Sequence, residues 1–216
     1  MSGSKMIKVV GIGSGGDTIT LRALKELQEA DIVIGYRGYI DMIREFIRKD
    51  AVVLETEVDE IDVRIEQARS HKDRRTIVVS SGDPMIFGMG SKLYKEADEI
   101  IPGITALSLA GSVAKIPLDD SAIISASTYS IPLDSVLKRI ELAIEANFTI
   151  GIYNINPSTR KNDAITIERK IREKAIGWTY YIIHNAMKEG QHVETGTVER
   201  LDITRMTMNS ILILKR

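Results

Sequence analysis

The chain has 216 residues, room for one large domain or two small ones, with 44% hydrophobic and 27% charged residues and a mean hydropathy of -0.04. This composition excludes disordered and fibrous proteins, and the absence of cysteine excludes disulfide scaffolds, thiolate zinc sites, Cys-ligated clusters and cysteine nucleophiles. With 29 Lys+Arg against 30 Asp+Glu, a formal charge of -1, no global field draws the protein to nucleic acid or anionic membranes, so an anionic ligand must be met locally.

Met1 to Lys5 has no apolar leader core, so no signal peptide is expected and the cytoplasm is the expected location. The uncharged stretch Ile100 to Ala114 is broken by Pro102-Gly103 and falls short of the roughly 20 apolar residues of a membrane span. In chain order the periodicity predicts a strand Ile7–Ile12, a helix Thr20–Ala30 with Leu21, Leu24 and Leu27 on one face, and a strand Asp31–Gly35. A helix near Tyr39–Arg48, a strand Ala51–Leu54, a helix near Asp59–Ser70 and a β-branched strand Thr76–Ser80 follow. A helix Ser91–Glu96, a short strand Glu99–Ile101 and a small-residue helix Thr105–Ala114 complete the first half. Strands alternating with helices imply a mostly parallel sheet covered on both faces.

Pro117 and the pair Asp119-Asp120 interrupt the pattern, which predicts two α/β domains, 1–115 and 116–216. The second half reads as strand Ala122–Ala126, helix Ser135–Ala146, strand Phe148–Tyr153 and helix Ala164–Lys174. Strands near Thr179–His184, Gln191–Val198 and Ser210–Leu214 give its end an antiparallel hairpin character.

Gly11-Ile12-Gly13-Ser14-Gly15-Gly16 fits the G-x-G-x-x-G dinucleotide pattern between a strand and a helix. Three details oppose that reading. The helix begins near Thr20, a good N-cap, away from the last glycine; Asp17 lies in the gap, where a carboxylate repels phosphate; and the second strand ends in Gly35-Tyr36-Arg37 with no acid for a ribose hydroxyl. Arg37 suits a 2′-phosphate instead, so an NADP-dependent oxidoreductase stays open beside a plain turn and a glycine loop lining another cleft.

Ser80-Ser81-Gly82-Asp83-Pro84-Met85-Ile86-Phe87-Gly88-Met89-Gly90 follows the strongest strand, where open α/β sheets place ligands. Gly82 permits close backbone approach, Asp83 offers an acceptor and Pro84 fixes the exit of the loop. The alternative is a strand-to-helix turn in which Asp83 caps its own helix.

These segments, with Thr20-Leu21-Arg22-Ala23, Ala30-Asp31-Ile32-Val33 and Pro102-Gly103-Ile104-Thr105-Ala106, resemble the tetrapyrrole methylases across nearly the whole chain. Within that family, Ser80 to Pro84 with Gly88-Met89, and Ala146-Asn147-Phe148 running into Ile152-Tyr153-Asn154, are most similar to the C-17 methyltransferases of cobalamin synthesis. The resemblance implies two α/β domains with the active-site cleft between them, S-adenosylmethionine as cofactor, a tetrapyrrole substrate and a homodimer. It also implies cofactor contacts at Ser81, Gly82, Asp83, Ile86, Thr105, Ala106, Asn154 and Ala186, and a substrate trough at Gly13 and Ser14, with Arg37 available to substrate carboxylates. Ser14 stands where the family typically has proline, Met85 where C-17 enzymes often have a small residue, and Ile155-Asn156 separate Asn154 from Pro157; these departures bear on substrate more than on cofactor.

The implied chemistry needs no nucleophilic residue, because the sulfonium is an activated methyl donor and reduced tetrapyrrole carbons are enamine-like. Ring contraction requires a base, for which Asp83 and Asp17 are the nearby carboxylates, each equally able to be structural. Arg44 and Arg48 are expected at i,i+4 on one helix face. His71, His184 and His192 have no ligand spacing, so no protein-bound metal is expected. A silent binding module on this fold, and a methylase acting on another corrin carbon or a diphthine precursor, remain alternatives.

Overall fold

The computed structural model describes residues 6–129 and 131–216, which fall into two compact units, Met1–Ala106 and Leu107–Arg216. In the first, five strands, β1 (Met6–Gly11), β2 (Ile32–Tyr36), β3 (Val52–Thr56), β4 (Arg75–Ser80) and β5 (Glu99–Ile101), form one parallel sheet in the order β3-β2-β4-β1-β5. Parallel strands need crossovers, and helices supply them: α1 (Leu21–Glu29), α2 (Arg37–Asp41), α3 (Ile61–Ser70) and α4 (Gly90–Leu93). Alternate residues of the strands feed two cores. Val10, Val33, Ile77 and Val79 pack with Ala23, Leu27 and Ile40, whereas Val9, Ile32, Ile34 and Val78 pack with Ala68 and Leu93.

Neighbours β4 and β1 send the chain in opposite directions along the sheet, β1 to β2 and β4 to β5. In open α/β sheets the carboxyl ends at such a point are the usual ligand position. The amino ends carry a different chemistry. Lys8 is buried in β1 and its ammonium meets Glu26 at 2.9 Å and Glu99 at 2.8 Å, while Arg22 and Arg75 reach Glu26 at 2.8 and 2.9 Å. Burial pushes the Glu26 carboxyl up, but hydrogen bonds from Arg75, Lys8 and Arg22 prevail and hold it at about 2.

The single helix expected over Tyr39–Arg48 is two shorter pieces. α2 ends at Asp41, Ile43 leaves the helical region (φ -128, ψ 3), and a separate 3-10 turn covers Arg44–Phe46. Arg44 and Arg48 therefore do not share a helix face: Arg44 pairs with Asp41 and Glu55, and Arg48 with Asp31 at 3.0 Å and Asp50 at 2.7 Å.

The second unit holds α5 (Ala106–Ala114) from its second residue on, β6 (Ser121–Ser125), α6 (Leu133–Glu145), β7 (Thr149–Tyr153), α7 (Lys161–Lys174), β8 (Thr179–His184), β9 (His192–Thr197) and β10 (Ser210–Lys215). Its sheet runs β6-β7-β10-β8-β9, parallel between β6 and β7 and antiparallel elsewhere. The helix expected to close the first half packs in this unit instead. Leu107 and Ala110 of α5 join Ile116, Ile183, Ile211 and Ile213, which places the division at 106/107 rather than 115/116. On the other face α6 and α7 bury Val136, Ile140, Ile167 and Ile171 against Ile150, Ile152 and Leu212. No helix among the described residues is long and apolar enough to cross a membrane.

Candidate functional site

In the first unit the carboxyl ends of β1, β4 and β5 converge on glycine. Beyond the regular β1–β4 ladder, Gly13 and Gly82 form an isolated antiparallel bridge in which Gly82 N donates to Gly13 O at 2.8 Å and Gly13 N to Gly82 O at 3.3 Å. Gly82 has φ +60 and Gly13 φ +57, a region that side chains disfavour. Close approach adds a second reason for glycine: a Cβ on Gly11 would stand 2.6 Å from Gly103 N, and one on Gly103 would stand 2.1 Å from Gly82 O.

Asp83 ties two of these loops together. Its Oδ1 accepts from Met85 N at 2.8 Å and its Oδ2 from Gly103 N at 3.3 Å. It does not cap the following helix, which begins only at Gly90. Ser80 Oγ closes the base of the same loop by accepting from Met89 N at 3.2 Å, Ser81 and Ile86 are half-buried, and Met85 and Phe87 project outward. Gly82 faces the next segment directly: Thr105 Cα and Ala106 N lie 3.9 and 3.6 Å from the position of a Gly82 Cβ. The fold thus brings Gly82, Asp83, Thr105 and Ala106 together from two loops.

The first glycine motif has a different role from phosphate binding. Ser14 N donates to Thr18 Oγ1 at 2.8 Å, that hydroxyl donates to Gly15 O at 2.7 Å, and a 3-10 turn over Gly16–Thr18 intervenes before α1. Thr20 caps α1, its hydroxyl accepting from Ala23 N at 3.1 Å, so the last glycine does not abut the helix. Asp17 is exposed on the turn. Arg37 is exposed at the end of β2, with Glu57 at 3.1 Å and Glu55 at 3.5 Å.

In the second unit β6, β7 and β8 end at one edge of their sheet. Asn154 (φ +61) follows β7; its side-chain amide donates to Ser125 Oγ at 2.9 Å and its carbonyl accepts from Arg160 Nη2 at 2.7 Å. Arg160 also donates to Ser127 Oγ at 3.1 Å and lies 5.3 Å from the Tyr129 ring centroid. Ala186 is half-buried in the turn after β8, between Asn185 (φ 50) and Met187 (φ 58). Burial holds the neighbouring Lys188 ammonium below its ordinary range.

Sequence reasoning gave no structural role to Tyr153, Arg160 or Gly103. The Tyr153 hydroxyl accepts from Leu107 N at 2.7 Å, satisfying a first-turn amide of α5. The histidines are also not all scattered: His184 and His192 are cross-strand partners with rings stacked at 4.2 Å. Their separation in sequence is spanned by a hairpin, which a helix-type ligand spacing does not detect.

Residues 6–202 match the family described as Tetrapyrrole (Corrin/Porphyrin) Methylases. The chain is 32% identical to the probable cobalt-factor III C(17)-methyltransferase of Methanothermobacter thermautotrophicus, over 97% of this chain and 62% of that protein. It is 31% identical to the protein of that name from Methanocaldococcus jannaschii, over 97% of this chain and 90% of the other. It thus spans somewhat less than two thirds of the first relative and nearly all of the second. Among solved structures, the methyltransferase CobJ superposes with a TM-score of 0.86 at 25% identity, covering 98% of this chain and 94% of that one. The chain belongs to the tetrapyrrole (corrin/porphyrin) methylases.

Proposed function

We propose that this chain is an S-adenosylmethionine-dependent C-methyltransferase of corrin biosynthesis that methylates C-17 of a precorrin-3-level macrocycle, metal-free or cobalt-bearing, with ring contraction. The observation that carries the reading is the 31% identity to a cobalt-factor III C(17)-methyltransferase across 97% of this chain and 90% of that protein. The glycine cluster supports it, since the absence of a side chain at Gly82 lets a ligand approach the backbone closely beside Thr105 and Ala106.

When bound, S-adenosylmethionine supplies an activated methyl group, so the residues bind and orient. In this reading Ser81, Gly82, Ile86, Thr105 and Ala106 are the cofactor contacts of the first unit, and Asn154 and Ala186, by the family resemblance, are those carried by the second unit's own loops. Gly13, Ser14 and Arg37 meet the substrate. Alignment alone can contribute up to about 7–11 kcal/mol in favourable systems. Asp83 acts as a positioning residue, because both its oxygens already accept backbone hydrogen bonds and hold the Gly82 and Gly103 loops in register. Asp17, exposed on its turn, is the less committed carboxylate for proton removal from the substrate.

A cytoplasmic homodimer fits the absence of cysteine and the commonness of two-fold assemblies. Light scattering should give a dimer mass at micromolar concentration; a monomer mass contradicts the assembly. Parallel calorimetric titrations with S-adenosylhomocysteine and NADPH test the cofactor. Stoichiometric heat with the first alone is expected, and heat with NADPH alone would replace the reading by the oxidoreductase one.

A further inference from the structure

On the antiparallel β8–β9 pair, His184 lies opposite His192 and Ile182 opposite Glu194. Side chains alternate along a strand, so His192 and Glu194 share a face, and the directly opposed His184 joins them there. One nitrogen of each imidazole and a carboxylate oxygen of Glu194 all lie within 4.8 Å of one another. Glu194 Oε1 stands 3.4 Å from His184 Nε2 and 3.7 Å from His192 Nε2, with Arg205 at 3.8 Å from the other oxygen. His184 is only 5% exposed, and the 3.4 Å approach leaves its Nε2 without a hydrogen bond. A buried polar atom in that condition is destabilising unless something else satisfies it.

We propose that His184, His192 and Glu194 bind one divalent transition-metal ion of the zinc class. Two imidazoles and a carboxylate are a zinc donor set, and three protein ligands leave a fourth position for water. The outer partners fit. His184 Nδ1 lies 2.9 Å from Ser210 Oγ, which accepts from Thr207 N at 2.9 Å and lies 3.2 Å from Thr207 Oγ1. The Ser210 hydroxyl can donate to Thr207 Oγ1 and its oxygen accept from Nδ1–H, which leaves a lone pair on Nε2 for the ion.

The stacked rings are inclined by only 7°, so an ion in the plane of one would lie out of the plane of the other. His192, exposed on the edge strand, is the ring with room to turn. A bound ion would pin the turn end of the hairpin, beside the loop that carries Ala186. The inference does not rest on methyl transfer, since none of the three residues is assigned to cofactor or substrate.

The test uses the untagged full chain, stripped with a chelator and titrated with Zn²⁺ in competition with a chromophoric chelator. One ion per chain is expected, with binding weakened at least tenfold by His192→Ala and by Glu194→Gln and unchanged by His71→Ala. Both weakening substitutions are outside the buried core, and a thermal melt confirms that each variant is folded. Co²⁺ in place of Zn²⁺ should give the intense visible bands of a four-coordinate site, lost in His192→Ala. Absence of stoichiometric binding in the parent, or binding retained in full by folded His192→Ala, overturns the proposal.

Discussion

Gly13 and Gly82 exchange two backbone hydrogen bonds, at 2.8 and 3.3 Å, and thereby fuse the two glycine motifs into one surface at the carboxyl edge of the first sheet. This pairing explains why the first motif, despite its spacing, is no phosphate loop. Gly13 N is already donated to Gly82 O, and Ser14 N to Thr18.

Two glycine substitutions should separate strain from collision. A Cβ at Gly82 meets nothing closer than 3.6 Å, so Gly82→Ala carries mainly the left-handed backbone cost of about 1–2 kcal/mol. At Gly103 the Cβ would stand 2.1 Å from Gly82 O, which only a loop displacement relieves. Gly103→Ala should therefore lower the melting temperature more than Gly82→Ala and weaken S-adenosylhomocysteine binding at least tenfold by calorimetry. A Gly103→Ala protein as stable and as tight-binding as its parent contradicts the close-packed loop account.

Asp83 gives a graded prediction. Asn retains one acceptor oxygen and Ala none, so affinity for S-adenosylhomocysteine should fall in the order Asp, Asn, Ala. The full loss is about 1–3 kcal/mol, the cost of leaving Met85 N and Gly103 N without partners. Equal affinity in a folded Asp83→Ala variant would remove the residue from the site.

The amino-end charge cluster sets acid stability. Glu26 is held at about 2 in the folded chain against 4.5 in the unfolded one, so its contribution is present above pH 4.5 and is lost as pH falls toward 2. A shift of that size corresponds to about 3 kcal/mol. Urea unfolding between pH 2 and 6 should show this acid limb flattened in Glu26→Gln. Lys8→Met should cost roughly 3 kcal/mol at neutral pH by breaking a buried pair. An unchanged acid limb in Glu26→Gln argues against the network.

Tyr153→Phe removes the acceptor of Leu107 N. The expected cost is about 1–3 kcal/mol of stability in the second unit, read by denaturant unfolding. Parent-like stability would show that water replaces the hydroxyl.

Most of this architecture is legible in local sequence. Ile7 to Ile12 and Thr76 to Ser80 read as strands because parallel strands are buried on both faces, and Thr20 announces its helix through the cap it makes. What stays hidden depends on pairing at a distance. Lys8 in a core strand makes sense only once Glu26 and Glu99 are seen beside it, and the need for glycine at 103 appears only when Gly82 O is known to lie against it. Likewise α5 looks like the end of the first half until Leu107 is found packed with Ile183 and Ile211. His184 and His192 meet through hairpin register, which a search for helical ligand spacing cannot reveal. The break at Ile43 has no proline or glycine to announce it.

The most direct measurement of the central claim is carbon NMR of the product formed from methyl-labelled S-adenosylmethionine and a C-20-methylated precorrin-3-level substrate, offered both metal-free and with cobalt. One labelled methyl at C-17 on a contracted macrocycle is expected. Label at C-11 or C-20, or no transfer to either substrate by a protein that binds S-adenosylhomocysteine stoichiometrically, would contradict it.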